Sequence, residues 1–181
     1  IRRAELLLAY TMVEFYPTVL GVSGSSFAKT HIHMSELNLE EGADVESKEK
    51  YWQNRYGIFG QYYMGVLSQL RLIHMPDTNH NTYRVTKEGK CLCEIFRKSI
   101  GREGEDIFWN AIYTGIISKD KLYKLKGITL HIIDDEDELQ EYEKIFCSYD
   151  VKSINGEDVY HRLKTMKMIL YYIYNDGAKV N

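Results

Sequence analysis

Proline is nearly missing from this chain, with two residues in 181. So little proline, and no low-complexity run, excludes a Pro-rich linker and leaves room for long helices. Cysteine is sparse too. Cys91, Cys93 and Cys147 form an odd set, which fits reduced thiols in a cytoplasm better than a disulfide framework. No apolar run approaches the roughly 18 residues that a membrane helix needs, and the first residues lack a secretory cleavage pattern. The expectation is a soluble, cytoplasmic protein with no membrane partner. An initiator Met is lacking as well: the chain runs from Ile1 to Asn181, which reads as a fragment of a larger polypeptide. No internal repeat is present.

What is there is ample apolar material. Hydrophobic residues make up 44% and aromatics 13%, enough to bury a core in one domain or two small lobes. The formal net charge of −3 hides a partition. Residues 50 to 102 carry nine bases against three acids, a local balance of +6, whereas residues 131 to 150 carry eight acids against one base, −7. Such asymmetry points to different partners for the two regions, or to mutual attraction within the fold.

Apolar periodicity places the elements. RRAELLLAYTMVEF, residues 2 to 15, is an amphipathic helix closed by Pro17. A long connection follows, with one short helix expected around 34 to 41. In RYGIFGQYYMGVLSQLRLI, residues 55 to 73, Phe59, Tyr62, Tyr63, Val66, Leu67, Leu70 and Ile73 fall on one helix face. Its glycines, Gly57, Gly60 and Gly65, each cost on the order of 1 kcal/mol against Ala in a helix, so another backbone is expected to approach closely there. HMPDTNHNTYRV then reads as a short hairpin with a polar tip. Thr86 is placed to cap a helix over KEGKCLCEIFRKSI, with Cys91, Leu92, Ile95 and Phe96 inward and Lys87, Lys90, Glu94, Arg97 and Lys98 outward. GREG, residues 101 to 104, is the expected boundary. Beyond it lie helices at 106 to 117, 137 to 149 and 157 to 174, and a strand at 128 to 133. The last helix shows Val159, Leu163, Met166, Ile169, Leu170 and Ile173 on one face. Tyr171, Tyr172 and Tyr174 read as packing residues with their hydroxyls at the rim.

Signals for catalysis are weak. His31 and His33 with Glu36 and Glu40 suit an ordinary loop and helix start, and Cys91-x-Cys93 lacks the spacing of a zinc knuckle. GVSGSS, residues 21 to 26, has neither a G-K-[ST] ending nor G-x-S-x-G spacing, so it reads as a flexible turn. The acidic run DDEDELQEYEK lacks the alternating ligands and central Gly of a calcium loop. Neither a catalytic set, a metal nor a cofactor is expected.

The run from the helix with its Leu-Ile exit, through a polar turn, to Tyr83-Arg84-Val85-Thr86 and Glu88-Gly89 resembles the second half of a winged helix-turn-helix domain. That family pattern is a recognition helix, a two-stranded wing ending in Tyr-x-Leu/Val-Thr-x-x-Gly, and a further helix. The resemblance covers residues 55 to 100. It implies a small β-hairpin wing in a mainly α chain, and together with the GREG boundary and the helices beyond it the expected organisation is a winged-helix-like domain over 1–102 and a helical association lobe over 103–181. It also implies a helix in a DNA major groove with the wing on neighbouring backbone. Tyr83, Val85, Thr86 and Gly89 match structural positions, and Arg84 with Asn79, His80 and Asn81 match the wing. The helix is not basic, so base contacts would fall to Gln53, Asn54, Arg55 and Gln61. Lys50, Lys87, Lys90, Arg97 and Lys98 would neutralise phosphates.

The functional expectation is therefore a non-catalytic protein that binds nucleic acid, double-stranded DNA first, within a larger assembly of bacterial or phage-related kind. The alternative is a winged helix that binds only protein, as a homodimer or in a complex, since a glycine-rich helix surface suits backbone packing.

Overall fold

A computed structural model of the chain describes residues 1–18, 22–130, 135–147 and 156–176. It divides into two compact units, Ile1–Asp135 and Glu136–Asn181. The boundary expected at 102/103 falls inside a helix of the first unit.

The first unit is built around α1, Arg2–Phe15. Its Leu6, Leu7, Ala9, Tyr10, Met12 and Val13 are all buried, so the apolar stripe has neighbours on more than one side. Thr11 is buried among them because its Oγ1 donates to the Leu7 carbonyl at 2.9 Å. Around α1 pack α2, Ser25–His31, and α3, Leu39–Ala43, and a 3₁₀ segment Lys119–Ile128 that contributes Leu122, Leu125 and Ile128 to the core. The stretch expected as a turn thus starts a helix at Ser25, with Gly24 in the left-handed region before it. The 3₁₀ segment carries Lys119, Lys121, Lys124 and Lys126 beside its inward-facing Leu122, Leu125 and Ile128.

A two-stranded antiparallel sheet closes this core. Strand β1, Glu36–Asn38, pairs with β4, Ile116–Ser118, placing Leu37 opposite Ile117, both buried. The helix expected over 34 to 41 is therefore a strand followed by α3. The helix expected to reach residue 117 stops at Thr114, where Gly115 takes φ 75° and its carbonyl accepts from the Leu39 and Glu40 amides. Three-residue strands are too short to leave a period of two in the sequence.

The helix expected over 55 to 73 is shorter than its pattern. A π-helical turn, Phe59–Tyr63, runs into α4, Met64–Gln69. Gly57 lies outside it at φ 70°, and Ile73 belongs to the next strand. Its apolar face is not a core face: Tyr62, Tyr63 and Val66 are each about half exposed, and a Cβ on Gly65 would meet nothing.

The hairpin stands where the alternation placed it. Strand β2, Ile73–His74, pairs antiparallel with β3, Arg84–Val85. Helix α5, Lys87–Thr114, then follows with a break at Gly101 (φ 67°, ψ 168°), so GREG interrupts a helix without ending it. Along its first half Leu92, Ile95 and Phe96 are half-buried, but Cys91 is exposed and is not a core thiol.

In the second unit, α6, Glu136–Cys147, and α7, Gly156–Asp176, occupy the expected positions. The expected strand over 128–133 is not present at Ile128, which ends the 3₁₀ segment, and its residues 131–133 lie outside the described residues, as does Asp134 of the acidic run. The expected packing face of α7 is half-buried at Leu163 and open farther along, and the side chain of Val159 lies outside the described residues. Met166, Ile169, Leu170 and Ile173 are exposed, as are Tyr171, Tyr172 and Tyr174.

Candidate nucleic-acid interface

Thr86 joins the hairpin to α5. Its Oγ1 accepts from the Gly89 amide at 3.0 Å as an N-cap and lies 2.6 Å from the Arg71 carbonyl, to which it donates, while its own amide donates to Leu72 at 3.1 Å. Gly89 is buried against this junction. A Cβ there would sit 2.2 Å from the Leu72 carbonyl oxygen, so only glycine lets the first turn of α5 lie so near β2.

The other side of the region is strapped to α1. Arg2 donates from Nε to Ala43 O (2.6 Å), from Nη1 to Asn54 O (2.5 Å) and from Nη2 to Trp52 O (3.0 Å). Glu5 accepts from the Ile58 and Phe59 amides at 3.0 and 2.7 Å and from the Tyr51 hydroxyl, capping the π-helical turn with a carboxylate at its positive end. Burial, followed by the bond to Glu5, raises the pKa of the Tyr51 phenol. Gly57 is required twice over here, by its left-handed φ and because a Cβ would lie 2.5 Å from Glu5 Oε2.

These two anchors set where the expected contact residues point. Gln53 and Arg55 are exposed, and Arg55 has no partner among the described residues. Asn54 is half-buried and accepts from the Tyr56 amide at 2.9 Å. Gln61 is occupied: its Oε1 accepts from Trp52 Nε1 and its Nε2 donates to the Tyr62 hydroxyl, both at 2.9 Å. Lys50 donates to the Val45 carbonyl at 2.6 Å.

The hairpin positions for which nucleic-acid contact was expected are tied to one another. Asp77 Oδ1 accepts from the Asn79 and His80 amides, and Asp77 Oδ2 accepts from Arg84 Nη2 at 2.9 Å. The Asn79 amide, with help from His80 and Arg84, holds the Asp77 carboxyl below the ordinary carboxylate range. Arg84 and His80 thus order the hairpin loop. Arg97 is shared between Glu94 and Glu105 at 3.0 and 2.9 Å, and the Glu105 bond leads in raising its pKa. Lys87, Lys90 and Lys98 are exposed and have no ion pair among the described residues. With 100° per residue, these three lie within about 80° of one another on α5.

Between the start of the π-helical turn and the hairpin loop opens a cavity of about 840 Å³, lined by Arg55, Tyr56, Phe59, Pro76, Asn81 and Tyr83 over a floor that includes Arg2, Arg3 and Ile112. Sequence reasoning singled out Arg55 but not these aromatic walls, and it assigned Tyr83 to architecture. The one available signal was the abundance of tyrosine, fifteen residues.

No protein-family profile matches the chain, and neither a curated protein nor a solved structure matches it. Among the described residues no three His, Cys, Asp or Glu side chains group so as to hold a metal ion, and no helix is long and apolar enough to cross a membrane. His31 instead stacks on Phe27 at 4.2 Å.

Proposed function

We propose that this chain is a non-catalytic nucleic-acid-binding part of a larger assembly, with double-stranded DNA as its first ligand and a winged-helix-like mode of contact. The observation that carries the reading is the set Lys87, Lys90 and Lys98, exposed and unpaired on one face of α5 directly after the hairpin. From Lys87 to Lys98 the helix rises about 16 Å, a distance over which a duplex presents several phosphates. Arg55 adds a fourth free cation, and a guanidinium can also read a guanine edge.

The test is fluorescence anisotropy of a labelled duplex. With four phosphate contacts, affinity falls roughly a hundredfold between about 50 and 200 mM salt. Joint Lys87→Ala, Lys90→Ala and Lys98→Ala reduces the slope of log affinity against log salt by roughly 2.7. Binding indifferent to salt, or a slope unchanged in the triple variant, removes the reading.

A protein-binding role is the second reading, favoured by the exposed Tyr62, Tyr63 and Val66 and by the open face of α7. It requires concentration-dependent association in sedimentation, and a monomer at every concentration counts against self-association.

A further inference from the structure

The cavity beside Arg55 has the make-up of a small-ligand site. Its volume, about 840 Å³, lies in the range of clefts that enclose drug-sized or nucleotide-sized molecules. Three aromatic rings, Tyr56, Phe59 and Tyr83, line it, and Tyr56 and Tyr83 are 67% and 43% exposed with no partner of their own to stack on.

Its charges do not cancel. Arg3 is neutralised by Glu40. Arg2 meets only neutral groups, three carbonyls and the Tyr51 ring at 4.7 Å. Asp44 is the one other acid among the described lining residues, against two arginines, Arg2 and Arg55, that have no acidic partner, so positive charge is left over. Ordered walls surround this charge: the Arg2 and Glu5 anchors fix the segment carrying Arg55 to Phe59, and Asp77 fixes the loop that leads to Tyr83.

We propose that this cavity holds an aromatic anion of nucleotide size, its ring against Tyr56, Phe59 and Tyr83 and its phosphate on Arg55. Aromatic side chains give each base a stacking surface whatever its identity, and a guanidinium matches two phosphate oxygens at once. The same chemistry has two sources, a free nucleotide or an unpaired nucleotide at the end of a strand.

The probe is 2-aminopurine riboside 5′-monophosphate, whose fluorescence is quenched on stacking, titrated with the full chain. Saturable one-to-one quenching is expected, with affinity at least about tenfold lower for Arg55→Ala and for Tyr83→Ala, as the loss of one stacked or charged contact implies. The riboside without phosphate loses about what Arg55→Ala loses. Both side chains are at the surface, and an unchanged circular dichroism melt confirms that each variant is folded. A second titration places 2-aminopurine as an unpaired end of a duplex: binding of this probe alone assigns the strand end, and binding of the monophosphate assigns the free nucleotide. Neither probe quenched, or both variants binding like the parent, overturns the proposal. A blunt duplex, with no unpaired base, tests nucleic-acid binding through the lysine face separately, so either idea can fail without the other.

Discussion

At the scale of single residues, three side chains near the start of the chain determine what later segments do. Arg2 gathers carbonyls from Ala43, Trp52 and Asn54, Glu5 takes the first amides of the π-helical turn, and Tyr10 sits at the centre of the core with 1% of its surface exposed. Burial, with a smaller push from Glu41, moves the Tyr10 phenol from 10.0 up to about 12. Below pH 10 both folded and unfolded chains keep this proton, and stability is unaffected by it. Between pH 10 and about 12 the unfolded chain releases a proton that the folded chain retains, so stability falls as pH rises. The full difference is on the order of 2 to 3 kcal/mol, and Tyr51 shifts in the same direction. Urea unfolding at pH 9 and at about pH 11.5 is expected to show a clear drop in midpoint for the parent chain and a smaller drop for Tyr10→Phe. Equal drops in both would show that Tyr10 is not the source.

At the scale of elements, the junction of hairpin and α5 is where local sequence and packing agree most closely. Thr86 caps, Gly89 admits the Leu72 carbonyl, and Ile73 pairs with Val85. Gly89→Ala gains helix propensity worth roughly 1 kcal/mol but drives a methyl to 2.2 Å from a backbone oxygen, and overpacking of that kind costs about 1 to 3 kcal/mol or more. The clash wins. A net loss of stability is expected in urea titration, whereas Ser99→Ala on the exposed side of the same helix stays within about 0.5 kcal/mol. A stabilised Gly89→Ala chain would mean that α5 does not lie against β2. This junction was legible in the sequence because every signal in it is local: alternation, a cap and a glycine three residues later. The same holds for α1, α6 and α7, whose periodicity is long. What stayed hidden depends on partners distant in sequence. The β1 and β4 pairing joins residues about eighty apart through three positions each. The pairing of Arg84 with Asp77 and of Arg97 with Glu105 follows from how the loop and the Gly101 break fold back. Periodicity also misled, since Tyr62, Tyr63 and Val66, Cys91, and much of the α7 face lie on helical stripes but remain open to solvent.

At the scale of the whole molecule, the two units differ in how much each depends on itself. Every residue of the buried cluster, from Leu6 to Ile128, belongs to the first unit. Beyond the 3₁₀ segment the chain is held to α1 by the Leu130 amide, which donates to the Met12 sulfur at 3.3 Å. The first unit carries seventeen bases and seventeen acids and is neutral, so the whole net charge of −3 resides in residues 136–181. A chain ending at Asp135 is therefore expected to unfold cooperatively at a midpoint close to that of the first transition of the full chain. It is also expected to bind a duplex as tightly or a few times more tightly at low salt, with the advantage vanishing as screening rises. If the acidic segment served only to neutralise the basic stretch, its removal would raise affinity far more, because Lys87, Lys90 and Lys98 would be released all at once. Calorimetry and anisotropy on the two chain lengths separate the cases. A truncated chain that melts without cooperativity would assign α6 and α7 a structural role in the first unit, and a truncated chain that no longer binds DNA would move the nucleic-acid contact to the second.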